Sequence, residues 1–140
     1  MTTGEIKIIK ETWAMVVPSA GEVGPLFYNR LFEIAPETKH MFTRTNIPEQ
    51  SKKLLAMLSY VISKLDNLEN LLEEIAALAK RHVQYGVKEE HYTKVGEALL
   101  WTLEKGLGAV WTAEVKDAWV TCYSTLSGAM IQLSAESKAA

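Results

Sequence analysis

Two polar side chains lie on helical stripes that should be apolar and a third lies beside such a stripe, and these are the residues whose chemistry most needs an explanation. His82 follows Leu71 by eleven residues. At about 100° per residue this returns to nearly the same face of a helix. Gln50 stands four residues before Leu54 at the start of another apolar stripe, and Tyr28 lies beside a third. Because the buried stripe of an amphipathic helix is normally apolar, these three side chains are the candidates for function.

Two interpretations of the three side chains stay open. In the first, each is a hydrogen-bonded core residue, because buried polar groups usually find partners inside a protein. In the second, a neutral imidazole binds haem iron through one ring nitrogen while the other nitrogen donates a hydrogen bond. A phenol and an amide on the opposite side would then donate hydrogen bonds to a polar diatomic ligand such as O2. The second interpretation requires elements that bring His82, Gln50 and Tyr28 around one apolar pocket.

Helix-breaking residues divide the chain into segments with helical periodicity, and no stretch alternates with period two for long enough to make a strand. Six main helices are therefore predicted, at about residues 5–17, 20–35, 48–65, 71–85, 89–107 and 112–133. A short turn-like helix is expected at residues 37–42. The predicted fold class is all-α.

Three local predictions accompany this division. Val17 is expected to be buried at the end of the first apolar stripe, after Trp13. Ser19 followed three residues later by Glu22 is typical of a capping box at the start of the second helix. Gly86 is expected to end the fourth helix in the left-handed conformation.

Composition limits the classes of protein that this chain can belong to. It has 140 residues, of which 48% are apolar, and a formal net charge of -2. That length fits one domain with its own core, predicted over residues 1–140, and the single Cys122 cannot form an internal disulfide. The near-neutral charge argues against binding to nucleic acid. No signal-peptide pattern and no apolar run of about 20 residues is present, so we expect a cytoplasmic protein with no membrane contact.

The segments around the three polar side chains resemble those of one known family, the globins. Residues 26–32, which include Tyr28, are similar to the second helix of bacterial globins, whose Tyr points at the bound ligand. Residues 49–54 resemble their distal segment, and residues 80–87 resemble their proximal segment. The three segments occur in the order that the family has.

Further matches extend the resemblance over nearly the whole chain. Pro36 followed six residues later by Phe42 resembles the globin turn in which that Phe stacks on the haem. Residues 95–108 are similar to neuroglobins, as is the stretch from Ala118 to Tyr123. The overall type resembles a bacterial single-domain haemoglobin, with a distal side like that of flavohaemoglobins and a second half like that of neuroglobins.

The resemblance implies a globin fold with haem b (iron protoporphyrin IX) as its cofactor. His82 would be the iron ligand, and Tyr28 and Gln50 would stabilise the bound gas on the distal side. The residues implied to contact the haem are Tyr28, Phe42, Gln50, Leu54, His82, Tyr92 and Val95.

Two positions depart from the families that the chain resembles. Neuroglobins have a distal His that can itself bind the iron, whereas this chain has Gln50 there. Flavohaemoglobins polarise the proximal His with a Tyr, matched here by Tyr92, and with a Glu in the last helix. Counting from Tyr123 to that Glu arrives at Ser134, so the charged part of this arrangement is missing.

The two remaining histidines are expected away from the iron. His40 lies in the turn before Phe42, and His91 lies near the start of the fifth helix. Both are predicted at the surface or at the haem rim, with His91 placed to meet a haem propionate.

Three functional hypotheses follow. The first is reversible binding of O2 with high affinity, with CO and NO as further small ligands. The alternative is nitric oxide dioxygenation with an external reductase, which would make the protein an enzyme. The third is a haem-free sensor or interaction domain, in which His82 is only a core residue.

Overall fold

The computed structural model describes residues 1–43 and 45–139, with side chains up to residue 135. Its six α-helices are α1 (Thr3–Val16), α2 (Ala20–Ile34), α3 (Ile47–Ser63), α4 (Leu72–Gln84), α5 (Glu89–Leu107) and α6 (Ala113–Ala139). Four 3-10 segments connect them, at Val17–Ser19, Pro36–Phe42, Leu65–Leu71 and Gly108–Val110. The described residues contain no strand, so the all-α prediction is confirmed. Within the same residues, no helix is long and apolar enough to cross a membrane.

A capping box is present at the start of α1, whereas the sequence predicted one at the start of α2. The Thr2 hydroxyl accepts a hydrogen bond from the Glu5 backbone N–H at 3.1 Å, and the Glu5 carboxylate accepts one from the Thr2 N–H at 2.9 Å. The capping box predicted at Ser19 and Glu22 is wrong, since the Ser19 side chain makes no capping hydrogen bond. Ser19 has ψ 21° because the 3-10 turn leads directly into α2, whereas a capping residue needs an extended backbone.

Other boundaries follow the sequence closely. The Asn46 side chain accepts a hydrogen bond from the Glu49 N–H at 3.1 Å, and α3 begins at Ile47, one residue before the predicted start. Gly86 has φ +86°, so the predicted left-handed end of α4 is confirmed. Gly108 ends α5 at φ +54°.

The larger core cluster joins α1, α3, α5 and α6 around two tryptophans. The rings of Trp13 and Trp119 lie 6.0 Å apart, and Trp119 Nε1 donates to the buried Thr12 hydroxyl at 2.9 Å. Val16 is 2% exposed within this cluster, while Val17 is 43% exposed. The predicted burial of Val17 is therefore wrong by one residue, because α1 ends at Val16 and the next turn points the Val17 side chain outward.

The smaller core cluster is built on α2 and α5. Its buried members are Phe27, Tyr28, Leu31, Ala35 and Ala98, and half-buried apolar side chains of the Pro36–Phe42 segment, α3 and α5 pack against it. The two clusters are joined through α2, α3 and α5, which contribute side chains to both.

A very close crossing of α2 and α3 positions this second cluster. A Cβ atom added to Gly24 would lie 2.3 Å from Ser51 Cβ, so the helices can approach this far only because residue 24 has no side chain. Gly24 is one turn before Tyr28, and Ser51 follows Gln50. The crossing therefore brings the two polar candidates on α2 and α3 together.

We predict that Gly24→Ala destabilises the protein by about 1–3 kcal/mol, because the added methyl group must push α3 away from α2. Gly21→Ala is the matched control, since nothing lies within 4 Å of a Cβ at that exposed position of the same helix. The control should leave stability unchanged or raise it slightly. Chemical unfolding followed by circular dichroism measures both, and equal effects of the two substitutions would contradict the close crossing.

Candidate functional site

Helices α3 and α4 belong to different parts of the bundle and make little contact with each other. Helix α3 packs on α2, and α4 packs on α6. The 3-10 segment Leu65–Leu71 connects the two helices in the chain. Near it, the Tyr60 hydroxyl of α3 donates a hydrogen bond to Glu74 Oε1 of α4 at 3.2 Å, which links them. Gln50 lies about 15 Å along α3 from this link, and His82 lies about 12 Å along α4. Both candidates are thus at the ends of the helices that are remote from the link.

Within the residues that the structure describes, the His82 ring makes a hydrogen bond through one nitrogen only. Nδ1 lies 2.8 Å from the backbone carbonyl oxygen of Leu78, one helical turn earlier. Since a carbonyl can only accept, Nδ1 carries the proton and Nε2 keeps its lone pair. Burial lowers the pKa of His82, and the nearby Arg81 adds to this, while the bond to Leu78 partly opposes it. The ring is therefore a neutral imidazole of fixed tautomer, which is the form that ligates metals.

Tyr28 and Gln50 provide two hydrogen-bond donors on α2 and α3. Tyr28 is 3% exposed, and burial raises the pKa of its phenol. A polar contact with the half-buried Gln50 side chain partly offsets this rise. The phenol consequently keeps its proton near neutral pH, and a phenol and an amide donor lie side by side.

An apolar wall surrounds these donors. The Phe42 ring lies 5.4 Å from the Tyr28 ring in an edge-on arrangement and 5.6 Å from the Phe32 ring. Leu54 and Val95 pack against the same cluster from α3 and α5. Phe42, Leu54 and Val95 are only half-buried although they are apolar, so the protein itself does not fully cover this wall.

Tyr92 connects His82 to the last helix. The Tyr92 and His82 rings are nearly parallel, with 20° between their planes and 6.2 Å between their centroids. The Tyr123 hydroxyl donates to the Tyr92 backbone carbonyl at 2.5 Å, which ties the start of α5 to α6. Burial raises the pKa of the Tyr92 phenol, and the Ser134 side chain on α6 partly offsets this rise.

These residues fit a haem group. They combine a neutral imidazole with a free nitrogen, two neutral hydrogen-bond donors and an apolar wall that the protein leaves partly uncovered. Among the described residues, no group of three or more His, Cys, Asp or Glu side chains could hold a metal ion on its own. Within that part of the chain, a metal bound by His82 would need most of its ligands from a prosthetic group.

One of the two other histidines lies where it was not predicted. His91 is 6% exposed, and its Nδ1 accepts a hydrogen bond from the Lys88 backbone N–H at 2.9 Å at the start of α5. The predicted surface position of His91 is therefore wrong, since the ring is buried and caps its own helix, while its position at the haem rim stays a prediction. His40 is exposed as predicted, and its Nδ1 contacts the Glu37 carbonyl.

Two supporting residues were missed in the sequence. Ser51 is buried at the α2–α3 crossing, and Tyr123 anchors Tyr92. Both lie against glycines, since a Cβ at Gly96 would lie 2.7 Å from Tyr123 Cε2, just as one at Gly24 would meet Ser51. Glycines inside predicted helices are the sequence signal that could have pointed to these close approaches.

Comparison with known proteins agrees with this architecture. The globin family model matches residues 26–130. Neuroglobin of Tetraodon nigroviridis is 27% identical over 93% of this chain and 90% of its own length. The flavohemoprotein of Vibrio cholerae serotype O1 is 31% identical over 94% of this chain, which corresponds to 34% of that protein.

A solved structure extends the agreement to three dimensions. The bacterial globin from Campylobacter jejuni superposes with a TM-score of 0.88 at 28% identity, over 99% of this chain and 100% of the other. The expected globin fold is therefore confirmed, with six helices in the same arrangement. The chain belongs to the globin family.

Proposed function

We propose that this globin is a haem b protein that binds O2 reversibly, with His82 as the iron ligand and residues 1–140 as one globin domain. The observation that carries the proposal is the state of His82, a half-buried neutral imidazole with Nδ1 bonded to Leu78 and with no hydrogen bond to Nε2 among the described residues. Haem iron, when bound, supplies reversible coordination of diatomic gases. The protein supplies the axial ligand, the polar distal contacts and the exclusion of water.

On the distal side, Tyr28 and Gln50 are the groups that distinguish one gas from another. Each can donate a hydrogen bond to a polar ligand, and each such bond contributes about 1 kcal/mol, or somewhat more where the acceptor carries negative charge. Two donors therefore favour O2 over the less polar CO and slow its release. The pair supports high O2 affinity.

The apolar residues of the site perform a different task. Phe42, Leu54 and Val95 present hydrocarbon surface to the flat faces and edges of the macrocycle, and Tyr92 packs beside His82. Burying apolar surface contributes about 25 cal/mol per Å2, so this wall would supply much of the affinity for haem. It also keeps water from the distal donors.

We predict that His82→Gly abolishes the visible spectrum of a His-ligated haem, because no other described side chain takes its place beside Leu78. Added imidazole should restore that spectrum by entering the vacated space. His40→Ala, at an exposed histidine, is the matched control and should leave the spectrum unchanged. A His82→Gly protein with the parent spectrum would exclude His82 as the ligand.

We further predict that Tyr28→Phe speeds O2 dissociation about tenfold, since the loss of one good hydrogen bond of about 1.4 kcal/mol corresponds to that factor. Stopped-flow displacement of O2 by CO measures the rate. Tyr60→Phe, which removes an exposed hydroxyl from α3, should have no effect. An unchanged O2 off-rate in Tyr28→Phe would show that the phenol does not contact the ligand.

A second candidate function is nitric oxide dioxygenation, which the Tyr28–Gln50 pair and the similarity to a flavohemoprotein favour. One O2, one NO and one electron give one nitrate ion. Slow release of O2 suits this reaction because O2 stays in place until NO arrives. The electron would come from an external reductase. The similarity to a flavohemoprotein supports this, because this chain matches only 34% of the length of that flavin- and haem-named relative.

If the protein is such an enzyme, we predict nitrate formation over many turnovers when O2, NO and a cell extract with a reduced nicotinamide are supplied. Tyr28→Phe should turn over more slowly under the same conditions, since it holds O2 less firmly. Nitrate limited to one equivalent per protein, with every extract fraction tested, would leave O2 binding as the function.

A further inference from the structure

The most exposed large hydrophobic side chain of the described residues lies next to His82. Tyr85 is 60% exposed, and its ring centroid lies 6.2 Å from that of the imidazole. The Tyr92 ring lies at the same distance from His82 but is buried. Of these two tyrosines, Tyr85 is therefore the one that another protein can touch.

The backbone that carries Tyr85 is held by hydrogen bonds at the end of α4. The Tyr85 N–H donates to the carbonyl oxygen of Arg81, and the Val87 N–H donates to that of His82, both at 3.0 Å. The exposed ring therefore stands on a backbone segment that is bonded to His82 itself. A Tyr held in this way can enter an interface with little loss of conformational entropy.

Three cations lie close to Tyr85 along the chain. Lys80, Arg81 and Lys88 are exposed, and none of them forms an ion pair with a described residue. Residues 75–88 contain these three cations and no Asp or Glu, in a chain whose net charge is -2. The next carboxylates are the two in the first turn of α5. A local excess of positive charge attracts an acidic partner and orients it.

We propose that Tyr85 and the three cations form the docking site for an acidic, flavin-containing electron donor. The proposal rests on the proposed function, because haem iron binds O2 only when an external reductase keeps it ferrous. One electron leaves the flavin of the donor and reduces ferric iron to ferrous. A donor atom in contact with the Tyr85 ring, about 4 Å from it, lies within about 10 Å of the imidazole.

A second copy of this chain fits the site less well. A symmetric contact would bring the three cations of one copy against the same three of the other, and like charges at an interface repel each other. Electron-transfer complexes bury less than about 1,200 Å2 in total, so a single exposed ring with a charged margin is large enough for them. The size and charge of the site therefore favour a brief encounter with an acidic donor.

The first test maps the site with an anion and does not require haem. Hexacyanochromate(III), a redox-inert and paramagnetic trianion, broadens the nuclear magnetic resonance lines of protons near its binding site. The reduced, CO-saturated protein is used because it is diamagnetic with or without haem. The ring protons of Tyr85 should broaden more than those of Tyr60, an exposed tyrosine whose hydroxyl is bonded to Glu74.

Charge variants show whether the cations attract the anion. Arg81→Gln should reduce the broadening at Tyr85 by about two- to fivefold, the effect expected for one exposed charge. Lys116→Gln, which removes an exposed cation from α6, is the matched control and should leave the broadening unchanged.

The second test uses reduced flavodoxin, an acidic flavoprotein, as the donor. Stopped-flow mixing with the ferric protein under CO measures how fast the reduced CO complex appears. Tyr85→Ala should slow this step about fivefold or more, as expected for truncation of a central interface residue. Tyr85→Phe keeps the ring and should retain the parent rate, as should Tyr60→Ala. Added salt should slow the parent more than Arg81→Gln, because it screens the attraction.

Three outcomes would overturn the proposal. Equal broadening at Tyr60 and Tyr85 would show that no anion is preferred beside His82. Broadening at Tyr85 that Arg81→Gln leaves unchanged would show that the cations do not attract it. Selective broadening together with an unchanged reduction rate in Tyr85→Ala would show that the donor docks elsewhere. A parent protein without a haem spectrum would end the proposed function, and this failure is distinguishable because the broadening is measured with or without haem.

Discussion

The arrangement of the whole site depends on one hydrogen bond, from His82 Nδ1 to the carbonyl oxygen of Leu78. An imidazole can bind a metal through Nε2 only if its proton stays on the other nitrogen and no second proton is added. The Leu78 carbonyl fulfils the first condition and burial of the ring fulfils the second. On the α5 side, the Tyr92 ring lies beside this imidazole, with 20° between the two ring planes.

The distal side depends on a steric constraint in place of a hydrogen bond. Tyr28 and Gln50 are on different helices, and they meet because Gly24 allows α2 and α3 to cross with almost no space between their backbones. Phe42 then packs edge-on against Tyr28 and closes the aromatic wall. The same design recurs behind His82, where Gly96 gives Tyr123 room to reach the Tyr92 backbone. Glycines therefore determine the distance between helices at both sides of the site.

The sequence predicts those features that repeat with the helical period. His82 and Gln50 are identified because each is polar on an apolar stripe, and Tyr28 because it lies beside one. The six helices follow from breakers such as Gly86 that separate them. Two of the errors fall where the period is interrupted. Val17 and Ser19 lie in a 3-10 turn whose geometry rotates Val17 outward and prevents Ser19 from capping.

Contacts between distant segments could not be predicted from a single chain. Nothing in the local sequence pairs Tyr123 of α6 with the Tyr92 backbone, 31 residues earlier in the chain. Such pairs depend on how α5 and α6 pack, which follows from many weak contacts together. The family resemblance predicted that Tyr92 lies near His82, and the structure identifies Tyr123 as the residue that holds its backbone.

The most direct test of the account is a titration of the haem-free protein with haemin, followed by the absorbance of the reduced complex. We predict saturation at one haem per chain and the spectrum of an iron ligated by a single neutral imidazole, because the described part of the chain holds one histidine prepared in this way. Absorbance that rises without saturation, or a reduced spectrum that lacks an imidazole ligand, would contradict it.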